Sequence, residues 1–125
     1  MTCKLWVQDN WTRTAVRADQ IVTIRVVPAA ASSATSSIRW QVEVVTRCPA
    51  AGDGGTTVAL CRGSHEDIEM DLLSVLVELI ATHLDTPNGG VINCVDELIA
   101  RDMVEDDDVI PARVIEKMFE LTQYA

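Results

Sequence analysis

The residues best equipped for chemistry are Cys61 and His65, a nucleophile and a base four positions apart. Nucleophilic catalysis needs that pair and a third group to orient the base. Cys61 falls where a strand is expected to end and His65 where a helix begins. A helix N-terminus lowers the pKa of a neighbouring thiol and favours thiolate. The plainer reading gives Cys61 to packing and His65 to a surface cap. Cys48, Cys61, His65, His83 and Cys94 are the candidate zinc donors, because zinc takes thiolates and imidazoles. Spacing works against that set. In a hairpin Cys48 and Cys61 stand about 16 Å apart along the strands. A helix about 28 Å long separates His83 from His65.

Residues 85–96 resemble the twelve-residue loop of calcium-binding EF-hands. Gly90 stands at the sixth position, Ile92 at the eighth and Asp96 at the twelfth. The third and fifth positions are Pro87 and Gly89, which leaves Asp85 and Asp96 as side-chain ligands for an ion that takes six to eight oxygens. A structural turn is expected instead. Gly52, Gly54 and Gly55 make a glycine-rich loop that leads into a strand, whereas phosphate cradles lead into a helix. Arg25, Arg39 and Arg47 share one strand face by parity, and Trp6, Trp11 and Trp40 are aromatic enough to stack bases. Trp40 alternates with Val42 and Val44, so it reads as core. The fifteen carboxylates after residue 63 offer no reason to single out an acid–base pair. No catalytic, cofactor-binding or metal-binding residue is assigned.

Charge points to partners more clearly than to chemistry. The chain carries nineteen acidic and ten basic residues, a net charge of −9. Residues 1–63 contribute +3 and residues 64–125 contribute −12. Such a surface repels nucleic acid and anionic membranes and steers toward basic proteins. The chain opens without the apolar stretch of a signal peptide, so a cytoplasmic location is expected. Cys3, Cys48, Cys61 and Cys94 show no close pairing and are expected to be reduced.

The 125 residues are long enough for one domain with a real core. They read as a β-rich half, 1–63, and an acidic helical half, 64–125. Short strands are expected over 4–8, 11–18 and 21–27, the last ended by Pro28. Residues 29–37, mostly Ala and Ser, form a low-complexity loop. Alternation resumes over 38–48 and returns over 56–62 as a hairpin, with Arg47 opposite Thr57, Val44 opposite Leu60 and Glu43 opposite Cys61. From Ser64 the period becomes helical. The first helix spans about 65–84, with a narrow polar stripe of Asp67, Asp71, Ser74, Glu78 and Thr82 and an apolar arc too wide for one covered side. A second helix is expected over 91–104, from Val91, Val95, Leu98, Ile99 and Met103 on one face. A third, over 111–124, starts at Pro111.

The expected fold is α+β: an antiparallel meander of four to five strands over residues 4–62, followed by three helices. Its element order is similar to that of pleckstrin-like barrels, which by itself implies no ligand. The expected function is that of a small acidic, non-enzymatic interaction protein that binds itself, as a homodimer through helical surface, or a basic protein partner. The alternatives are an acidic inhibitor or nucleic-acid mimic in a basic cleft, and an enzyme using Cys61 and His65.

Overall fold

The computed structural model describes residues 4–9, 14–29, 38–47, 56–85, 89–104 and 111–123. Among them are seven strands in two sheets and three α-helices. The chain is α+β, with most strands preceding the helices. β1 (Leu5–Asp9), β2 (Ala15–Arg17), β3 (Ile21–Pro28), β4 (Trp40–Thr46) and β5 (Thr56–Gly63) come first. They are followed by α1 (Glu66–His83), β6 (Gly90–Cys94), α2 (Glu97–Met103), α3 (Pro111–Met118) and β7 (Phe119–Gln123). A 3₁₀ turn, Ala18–Gln20, joins β2 to β3. The expected loop at 29–37 lies outside the described residues except for Ala29, as do Cys3, Cys48 and Trp11.

The meander is three strands long. β3, β4 and β5 form one antiparallel sheet. β1 and β2 belong to a second sheet, ordered β2-β1-β6-β7, in which β1 and β6 run parallel. This division replaces the single barrel-like meander. Two segments read as helix are strands. Residues 90–94 pair with β1 on one side and β7 on the other, so the second helix keeps only 97–103. Residues 119–123 leave α3 and pair with β6. The acidic half therefore supplies two strands of the second sheet.

Alternation decides β4: Trp40, Val42, Val44 and Thr46 are buried and the residues between them are half-buried. The hairpin pairs Val44 with Val58, Val45 with Thr57 and Val42 with Cys61. That is two residues tighter than expected at the turn, an even shift that keeps the buried face inward. A register shift between Val42 and Glu43 lets both Leu60 and Cys61 point into the core. A second shift, between Ile21 and Thr23, accompanies the exposure of Val22.

α1 buries Ile68, Leu72 and Leu76, one residue per turn. Those side chains join Leu5, Val7, Trp40, Val42, Val44, Ile92, Val114, Ile115 and Met118 in one apolar cluster shared by both sheets. Met118 and Phe119 are core residues, not a free helical face. Gly89, immediately before β6, has φ +77°. A Cβ there would come within 2.6 Å of the Lys4 carbonyl oxygen, so glycine is required twice over.

Candidate functional site

The polar residues that converge do so where the two sheets meet. β5 ends at Gly63, α1 begins at Glu66 and α2 begins at Glu97. Asp96 and Glu97 lie between them. The Asp96 carboxylate accepts the backbone N–H of Arg62 at 2.8 Å and the Arg62 guanidinium at 3.0 and 3.3 Å. Glu97 is 5% exposed. Its Oε1 accepts the N–H groups of His65 at 2.9 Å and Ser64 at 3.3 Å, and its Oε2 accepts Arg101 Nε at 3.1 Å. The His65 N–H, at the N-cap of α1, is one of the donors that the start of a helix leaves unpaired. One carboxylate thus caps α1 from another element. The Trp40 indole N–H donates to the His65 carbonyl at 3.2 Å, and a Cβ on Gly63 would fall on the Trp40 ring.

Because these carboxylates are occupied by donors, the junction is built to hold β5, α1 and α2 together. At the same, C-terminal end of the parallel pair, the Asp9 carboxylate is fully buried and accepts Thr14 N–H at 2.9 Å. It stands opposite Cys94 in the register of β1 and β6.

Cys61 does not have the environment expected of a nucleophile. Its side chain is buried, and desolvation holds the thiol well above the usual range, with Cys94 and Asp96 adding to the effect. Burial outweighs the adjacent helix N-terminus, because no water reaches the thiolate. Cys94 is raised in the same way, by burial first and by Asp9 second. Both thiols are free. His65 faces outward as the cap of α1, where its Nδ1 accepts Asp67 N–H at 3.2 Å.

The other candidates are dispersed. His83 closes the far end of α1. Asp85 and Asp96 are separated by β6, whose residues are paired in the sheet, and Asp96 is engaged by Arg62. Among the described residues, no three His, Cys, Asp or Glu side chains converge as metal ligands. Trp40 is core, and Arg25 is paired with Glu43 at 3.1 Å. Among the described residues, no helix is long and apolar enough to cross a membrane.

Most of the exposed large apolar side chains lie on the helices, with Trp6 and Val22 on strands. Met70 is 74% exposed and Leu98 73%, and Val75, Val77, Ile99 and Met103 are also exposed. Carboxylates surround them: Glu66, Asp67, Asp71 and Glu78 are exposed on α1, and Asp102 on α2. A groove of about 450 Å³ lies between α1 and α3. Val75, Ala112 and Ile115 give it an apolar lining, and Asp71 and Glu116 stand on either side. A second groove, of about 290 Å³, separates α1 from β3. The wide apolar arc of α1 was the signal for this surface. The buried role of Glu97 had no signal, because it is one carboxylate among fifteen in its half. No protein-family model matches the chain, and neither a curated protein nor a solved structure matches it.

Proposed function

We propose that this chain is a non-enzymatic interaction protein that engages a basic protein partner through the acidic side of α1, α2 and α3. One observation carries the reading: large apolar side chains, led by Met70 and Leu98, stand exposed among carboxylates. Met70 lies one turn from Glu66 and Asp67, and Leu98 one turn from Asp102, and exposed apolar surface rimmed by polar groups marks protein contacts. The groove between α1 and α3 repeats the pattern, and an apolar floor between carboxylates suits an amphipathic basic helix. The −12 carried by residues 64–125 steers such a partner into contact and selects against acidic ones. A partner with a basic cleft, blocked as an inhibitor blocks it, is one form of this reading. A catalytic role for Cys61 has less support, since its thiol is buried and held neutral.

The test compares the immobilised chain with its Met70→Asp/Leu98→Asp variant as baits in extract of the native host. Both positions are exposed, so the variant keeps its fold. The wild-type chain is expected to retain a basic protein that rising salt releases and the variant does not retain. Identical retention by the two baits overturns the proposal.

A further inference from the structure

β3 is one of the two edge strands of the three-stranded sheet. Its inner edge is paired with β4 from Ile21 opposite Thr46 to Pro28 opposite Trp40. No described strand pairs with its outer edge. Five of its eight residues are Ile or Val, yet none is fully buried, whereas β4 buries every second residue. A long apolar edge is a template for another strand unless it is blunted. Blunting here is slight: a register shift near Ile21, Pro28 at the last position, and one charge, Arg25, already paired with Glu43. Beside the edge runs the α1–β3 groove, with Ile24, Ile80 and Leu84 among its lining. Val22 and Val77, 53% and 46% exposed, also line it.

We propose that this edge pairs antiparallel with β3 of a second copy, so that one six-stranded sheet runs through a homodimer. Charge selects this occupant over a basic or acidic protein. Two copies carrying −9 each repel where their acidic sides meet. Along β3 they approach with Arg25 neutralised by Glu43, and just before the strand Arg17 is neutralised by Asp19. An edge so balanced gives a strongly charged partner no advantage. Size fits as well. Eight residues extend about 27 Å. With the flanking face of α1 the contact covers roughly 500 Å² per chain, about 1,000 Å² in total, near the lower limit for specific association. A contact of this size belongs to weak, transient association.

The symmetry is constrained. Antiparallel strands related by a two-fold share faces only if the axis is perpendicular to the sheet, which puts both α1 helices on the same side. An axis at Ile24 or Val26 keeps the Arg25 side chains from facing each other, since like charges directly opposite are destabilising. Apart from Val77, the dimer surface shares no residue with the exposed helical positions of the acidic face.

Sedimentation of the whole chain from about 1 to 500 µM, a range that brackets a micromolar Kd, is the test. The mean mass is expected to rise from 13.7 kDa toward twice that value. Hydrogen exchange of the amides of residues 21–28 slows over the same range. Val22→Lys/Val77→Lys, at two exposed positions, weakens the dimer at least about tenfold with an unchanged circular dichroism spectrum. A monomer at every concentration overturns the proposal. So does a dimer in which residues 21–28 exchange at the monomer rate, or one lost in Met70→Asp but kept in the lysine variant.

Discussion

Replacing Glu97 by Ala removes a side chain that ties α2 to the start of α1. Its Oε1 accepts the His65 N–H at 2.9 Å and the Ser64 N–H at 3.3 Å, and its Oε2 accepts Arg101 Nε at 3.1 Å. The bonds are unequal. The His65 bond is short and charge-assisted, and its loss orphans a donor at the start of α1, at a cost of about 1.5–3 kcal/mol. The Ser64 bond is long and weak. Arg101 is about one-third exposed, so its pairing adds well under about 1 kcal/mol after solvent screening. Glu97→Ala is therefore expected to lose about 3 kcal/mol, a large share of the roughly 5–15 kcal/mol that holds a domain together. Glu97→Gln keeps one acceptor oxygen and is expected to lose about half as much. Urea unfolding followed by far-ultraviolet circular dichroism reads the difference as a shift in midpoint at constant slope. A loss below about 0.5 kcal/mol in Glu97→Ala refutes the reasoning, because it means that solvent satisfies α1 equally well.

Three further outcomes follow from the same geometry. Gly63→Ala drives a Cβ into the Trp40 ring and is expected to destabilise by about 1–3 kcal/mol, measured by the same unfolding. Gly89→Ala adds strain at φ +77° and a clash with Lys4, costing at least about 1 kcal/mol and lowering the thermal midpoint. The raised thiols Cys61 and Cys94 make stability depend on pH above neutrality. A group whose folded pKa is raised contributes fully below its unfolded value, about 8.5 for a thiol. As pH rises past that value, stability falls by up to about 1.4 kcal/mol per unit for each thiol. Urea midpoints between about pH 7.5 and 10 should fall in the wild-type chain and fall less in Cys61→Ala/Cys94→Ala.

Local patterns made half of this architecture legible. The alternation of β4 and the capped, acidic start of α1 are short-range signals, and both elements lie within two residues of their expected bounds. Residues 90–94 misled because Val91, Val95, Leu98 and Ile99 keep helical spacing across a strand and the helix after it. What makes 90–94 a strand is pairing with β1, more than eighty positions earlier, and no local period records that. β7 had a local signal, since Phe119 is buried and Leu121 half-buried with exposed residues between and after them. The Pro111 helix start and the apolar spacing of Val114, Ile115 and Met118 masked it. Cys61 was placed correctly in its strand but opposite Glu43 on the polar face, and the register shift between Val42 and Glu43 turns it into the core. Glu97 shows the remaining limit: its burial depends on α2 meeting the start of α1, a contact between segments about thirty residues apart.

The account rests on the exposed apolar and acidic side of the helices as the binding surface. The most direct measurement is hydrogen–deuterium exchange on the chain alone and in complex with the basic protein it retains. The account predicts slowed exchange along residues 66–83 and 97–103, with little change in β4 and β5. Slowing confined to the strands, with the helices exchanging as in the free chain, contradicts it.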